Sequence, residues 1–227
     1  MFNRAKELLT PRKPFGQVAV RIGTISPLLP RGEQRILRMM IRSPETGTFQ
    51  IPEMLDWLAP AIGMSNEAQE ANGIRSPYVY VTVRHGPAQT NEFRDDVFHV
   101  DGFSMRKAHV PEQNYIWSNR IGTEVLEQEI NLPEDFDPFK HNIHQYFQDV
   151  ADPKNAKNLY PGTMYAIDPY VVHRRPVVTA GMQRTFFRIS YIPIEIEDDT
   201  CMINPLIPRL KPYNREDIRH QLSRYPV

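Results

Sequence analysis

His99 and Asp101 stand two residues apart in FHVDGF, His173 lies far downstream in DPYVVHRRP, and Arg184 and Arg188 follow in QRTFFRIS. Two imidazoles and one carboxylate are the ligand set that leaves adjacent positions open on Fe(II), where a chelating ligand and dioxygen can both bind. The guanidiniums offer what the far carboxylate of such a chelator needs, a charge-assisted and bidentate partner. These residues therefore point to a mononuclear iron site with an anchor for an acidic cosubstrate.

The elements that must position them follow from the spacing. On a strand, residues i and i+2 face the same way, so H-x-D puts both ligands on one side. His173 must then arrive from a facing strand, which makes the site a product of the folded sheet. SPYVYVTVRHG alternates aromatic and β-branched residues at period two, and VFHVDGF, QNYIWSN and TEVLEQEI are short strands bounded by turn formers. PGTMYAIDPYVVHRRPVV and RTFFRISYIPIEI read as two strands around the turn TAGMQ, and QVAVRIGTISPLL as a strand near the start. GEQRILRMMIRS carries Ile36, Leu37, Met40 and Ile41 at helical spacing. IPEMLDWLAP opens with a helix-starting proline, and SNEAQEANG is a capped run closed by Gly73. FKHNIHQYFQDV forms one short helix within a polar insert. The expectation is a mainly β fold with flanking helices, a double-stranded β-helix (jelly roll, cupin-like). It is one domain over 1–227, with an N-terminal helical and strand extension at 1–76, the jelly-roll core at 77–196 and a tail at 197–227.

From Pro77 to Ile196 the chain resembles Fe(II)- and 2-oxoglutarate-dependent dioxygenases. The resemblance is carried by FHVDGF, by the glycine-led strand PGTMYAIDPYVVH into the distal histidine, and by RTFFRIS. It implies His99, Asp101 and His173 as iron ligands and an arginine on the last core strand as the anchor for 2-oxoglutarate. Arg184 follows His173 as H-x10-R, the spacing of taurine-dioxygenase-like and phytanoyl-CoA-hydroxylase-like members, whereas Arg188 and Ser190 form the R-x-S of others. Positions 184, 186, 188 and 190 share strand parity, so both arginines can face one pocket, one for the cosubstrate and one for an anionic substrate. Tyr115 is placed by the resemblance as a second hydrogen-bond donor to 2-oxoglutarate. The implied reaction hydroxylates or otherwise oxidises an unactivated C–H bond of a small, anionic substrate with dioxygen, and 2-oxoglutarate leaves as succinate and CO2. Arg84, Asn91 and Arg188 are substrate-site candidates, with Arg94, Met105 and Arg106 lining the mouth and Asp168, Arg174 and Arg175 near the distal histidine. The insert from Asp135 to Asn158 and the tail RLKPYNREDIRHQLSRYPV are candidates for a lid or a homodimer contact.

Composition narrows the partners. Lys and Arg number 27 and Asp and Glu 27, a balance that gives no general basic surface for nucleic acid, although a nucleotide or nucleic-acid base is retained as a second substrate class. Cys201 is the single cysteine, so no internal disulfide can form. No apolar run reaches membrane-spanning length, and MFNRAKELLTPRKP has no apolar core of a targeting peptide. A soluble cytoplasmic protein is the expectation. His141 and His144 can meet at i and i+3 on one helix face, but no acidic residue completes a site beside them, so they read as helix surface. His85 and His109 have no pattern around them, and Trp57 and Trp117 read as core. Two other classes stay open, a non-redox cupin-like isomerase or epimerase and a noncatalytic binding module.

Overall fold

The computed structural model describes residues 13–73, 76–88, 97–101, 112–137, 140–196 and 201–207. In chain order the elements are β1 Val20–Thr24, β2 Gln34–Arg42, a 3-10 turn Glu53–Leu58 running into α1 Ala59–Ala71, β3 Tyr78–Pro87, β4 Gln113–Ser118, β5 Glu124–Leu126, α2 Ile143–Val150, β6 Ala156–Asn158, β7 Thr163–Ile167, β8 His173–Arg174 and β9 Gln183–Ile192. One sheet has six strands in the order β1-β7-β4-β9-β3-β2 and a smaller one has three, β6-β5-β8. The paired strands run antiparallel throughout. Mainly antiparallel β with few helices, the chain is consistent with a jelly-roll-like β-sandwich.

Strand parity sorts the side chains into layers. Val79, Val81 and Val83 of β3, Tyr115 and Trp117 of β4, and Phe187, Ile189 and Tyr191 of β9 pack with Leu55, Leu58, Ala61 and Ile62 of the helical segment. The opposite face of the large sheet contributes Ile116, Tyr165 and Ile167, which meet Val125 of β5 and Val171 just before β8. Outside the small sheet a third cluster joins Phe98, Val100, Leu126 and Val172 to Ile143 and Phe147 of α2 and to Phe15. The layers are thus α1, large sheet, small sheet, α2. The insert around α2 is a packed layer with Phe147 wholly buried. Trp117 stacks on Phe187 at 5.2 Å between centroids, in agreement with its reading as core.

Two elements differ from the sequence reading. Gln34–Arg42 is a strand, not a helix, and its register with β3 slips between Ile36 and Met39 and again between Met40 and Arg42. Arg38 has φ of 44°, left-handed for a non-glycine residue. Each bulge adds a residue without a partner, so the buried set Ile36, Met39, Met40 and Ile41 loses period two and imitates a helical stripe. The stretch from PGT to RPVV is also two strands in two sheets. After β7 the chain turns at Asp168, whose carboxylate accepts from the Tyr170 N–H, and crosses to the small sheet as β8. That crossing carries His173 to the layer facing β9.

If β2 lies in the sheet, Met39, at 2% exposure, and Leu37, at 41%, should respond differently to truncation. Met39→Ala is expected to lower unfolding free energy by about 2–5 kcal/mol, and Leu37→Ala by less than about 1 kcal/mol, in urea denaturation.

Candidate metal centre

His99 and His173 face each other across an antiparallel bridge that extends the small sheet by one segment. The His99 N–H donates to the His173 carbonyl at 2.8 Å and the His173 N–H to the His99 carbonyl at 2.9 Å. Their rings lie side by side with centroids 4.5 Å apart. Phe98, Val100 and Val172 alternate with them into the outer cluster, so His99, Asp101 and His173 share the inner face that H-x-D parity demands.

Each imidazole is held in the same way. His99 Nδ1 lies 2.8 Å from the Val97 carbonyl and His173 Nδ1 lies 2.8 Å from the Val171 carbonyl. A carbonyl only accepts, so both Nδ1 atoms carry the proton, and in the neutral rings both Nε2 lone pairs are free for a cation. Burial, and then the neighbouring His173, push His99 down to about 4, which keeps its ring neutral. One donor atom from each of His99, Asp101 and His173 lies within 4.8 Å of the others. His173 Nε2 and Asp101 Oδ2 stand 3.5 Å apart. Two lone-pair donors at that distance repel unless a proton or a metal ion lies between them. This donor set fits a divalent metal at bond lengths near 2.0–2.2 Å.

Asp101 also reaches across to the large sheet. Its Oδ2 accepts from Arg188 Nη1 at 2.9 Å and from Asn114 Nδ2 at 3.0 Å. Burial alone would raise this carboxyl, but the Arg188 guanidinium, and then the His173 imidazole, hold it well below the usual carboxylate range. Ser190 Oγ donates to Asn114 Oδ1, so Ser190 touches the centre through Asn114. Asn114, Arg188 and Ser190 are neighbours because β4 pairs with β9 as Asn114↔Ser190 and Ile116↔Arg188.

Arg184 lies on the same face as Arg188, about 13 Å further along β9 by strand rise. Its Nε donates to the Ile121 carbonyl at 3.0 Å, which orients the fork. Gly122 follows, and a Cβ there would stand 2.2 Å from the Leu159 carbonyl oxygen, so the loop that carries Ile121 needs glycine for this close approach. Arg184 lines a cavity of about 210 Å³ together with Arg84, Arg175, Arg35, His85 and Glu33. Burial, and then Arg175 and Arg84, push Arg184 down to about 10. It remains a cation at neutral pH.

Several expected residues stand elsewhere. Tyr115 packs against Tyr191 on the α1 face, ring centroids 5.6 Å apart, so it lies on the opposite side of the large sheet from the donor trio. Its neighbour Asn114 faces the donor trio instead, a position that the resemblance did not point to. Asp168 binds Lys13 at 2.6 Å, and Arg174 binds Glu124 while covering the Phe98 ring, so neither supports His173. His144 was read as helix surface, yet its ring meets that of His99 edge-on at 6.0 Å. Its helical position carried no sequence signal for this, since the contact depends on how α2 docks. Asn91, Arg94, Met105, Arg106, His109 and the tail 208–227 lie outside the described residues.

Among the described residues no helix is long and apolar enough to cross a membrane. No protein-family profile matches the sequence, and no curated protein does. Solved structures with a related course include AviO1 from Streptomyces viridochromogenes Tue57, at TM-score 0.40 and 12% identity over 92% of this chain and 98% of that one. EvdO2 from Micromonospora carbonacea var. aurantiaca, complexed with 2-oxoglutarate, has TM-score 0.37 and 18% identity over 87% of this chain and 82% of that one. Both likenesses are distant, and neither bears on function by itself.

Proposed function

We propose that this chain is a non-haem Fe(II)- and 2-oxoglutarate-dependent oxygenase on a double-stranded β-helix, oxidising a C–H bond of a small anionic substrate. The observation that carries this reading is the matched tautomer of His99 and His173, whose Nδ1 protons are committed to the Val97 and Val171 carbonyls beside a charged Asp101. A bound iron would supply dioxygen activation coupled to decarboxylation of 2-oxoglutarate. Everything else is the task of the side chains.

His99, Asp101 and His173 would hold the metal on one face and leave the other open. Asn114, itself oriented by Ser190, and Arg188 fix the carboxylate rotamer, and the two backbone carbonyls fix the rings. Arg184 is the better anchor for the far carboxylate of 2-oxoglutarate. Its Nε is pinned to Ile121, and the cavity it shares with Arg84 and Arg175 is a concentrated positive field. Arg188 already serves Asp101, and its place beside the metal ligand suits an anionic substrate better than a remote cosubstrate end. Arg84 is on the same cationic wall, which supports the anionic substrate class over a neutral one.

The first test is anaerobic addition of Fe(II) and then 2-oxoglutarate, with the weak visible charge-transfer band of the chelate expected, and succinate on admission of air. Good metal loading with neither signal would remove the oxygenase reading and leave a non-redox enzyme. Asn114→Ala is expected to weaken Fe(II) binding by about 10- to 100-fold, and Asp101→Ala by more, in equilibrium dialysis. Arg184→Ala should raise the 2-oxoglutarate concentration for half-saturation by about tenfold or more while sparing metal affinity. In the metal-free protein Arg188→Ala leaves Asp101 without its cation, and should lower unfolding free energy by about 3–5 kcal/mol, with part of the loss recovered on adding metal. A wild-type melting profile for that variant would show that the pair contributes no stability.

A further inference from the structure

His144 is a polar group that the centre does not yet account for. Its Nε2 is buried and has no hydrogen-bond partner among the described residues, a state that ordinarily destabilises unless something satisfies it. Contacts along α2 fix where the residue sits. Asn142 caps α2 by accepting from the His144 and Gln145 N–H groups, Ile143 and Phe147 anchor the helix in the outer cluster, and Gln148 Nε2 donates to the Phe98 carbonyl at 3.1 Å. That last bond ties α2 to the residue immediately before His99. The ring then meets His99 edge-on, 6.0 Å between centroids at 65°, within electrostatic reach of Asp101 and His173.

His144 is not one of the trio whose donor atoms gather within 4.8 Å, so this geometry does not make it a fourth ligand. The ionisable groups within its reach are His99, Asp101 and His173, whose lone pairs the metal would engage. Resting on the metal reading of the trio, we propose that His144 Nε2 is the hydrogen-bond partner of the exogenous ligand that occupies the open face of the metal, a water or a small anion. An orphaned nitrogen in the protein alone would then be satisfied only in the loaded site. Such a contact selects which ligands the open position holds without contributing to metal affinity directly.

The probe is Co(II) as a spectroscopic metal, with azide as the exogenous anion, in wild type, His144→Phe and His144→Gln. Phenylalanine keeps the edge-on packing and removes the nitrogen, and glutamine returns a donor near the same place. Wild type should bind one equivalent of Co(II), and azide should shift its visible d–d bands. His144→Phe should keep Co(II) affinity within about threefold and bind azide about tenfold more weakly, with His144→Gln recovering part of the loss. Azide affinity unchanged in His144→Phe overturns the proposal. So does a hundredfold loss of Co(II) affinity in both variants, which would make His144 a direct ligand. If wild type fails to take up Co(II), the metal reading itself is wrong and the inference falls with it.

Discussion

Asp101 is a largely buried carboxylate lying between two sheets, and the site is organised around keeping its charge tolerable there. An isolated carboxylate in such a place would be strongly destabilising. Here it is compensated from the large sheet, by the Arg188 guanidinium and the Asn114 amide, while the His173 Nε2 lone pair faces it from the small one. The arrangement binds the two sheets together at the place where a cation would sit. With the histidine tautomers set by backbone carbonyls, no ring proton is aimed at the carboxylate, and the space between the three groups is left for a cation.

The surrounding fold serves this arrangement through parity. On β4 and β9, alternate residues go to the α1 core or to the centre, so Tyr115 and Phe187 build hydrophobic mass while Asn114 and Arg188 meet Asp101. A slip of one residue in either strand would exchange the two sets and leave a guanidinium in the apolar layer. The same rule places Arg184 and Arg188 on one face, with Phe186 between them, so one strand serves Asp101 at one point and a cationic cavity at another. β9 runs from the donor trio to the cavity and contributes a residue to each.

Much of this was legible in the residues. The H-x-D pair needs only strand geometry to share a face, and β3, β4, β5 and β9 show plain alternation or clear turn boundaries. Other parts were not legible, for identifiable reasons. β2 imitates a helix because its bulges break period two around Arg38. Tyr115 came from the resemblance alone, and the face that it or Asn114 takes depends on a pairing register set by distant strands. His144 has no local pattern that marks it, and reaches His99 only because α2 docks through Phe147 and Gln148.

By itself the sequence determined the ligand types, their order, the strand on which the first two share a face, and the parity that lets both arginines look the same way. These are local properties, governed by the alternation of a β-strand. Tertiary structure alone decided that His173 lies directly opposite His99, that Arg188 is the arginine at Asp101 and Arg184 the one in the cavity, and that Asn114 rather than Tyr115 faces the centre. Those facts depend on inter-strand register and on the crossing of the chain from β7 to β8 between sheets. Neither is written in the spacing of nearby residues, because both arise from the packing of segments remote in the chain.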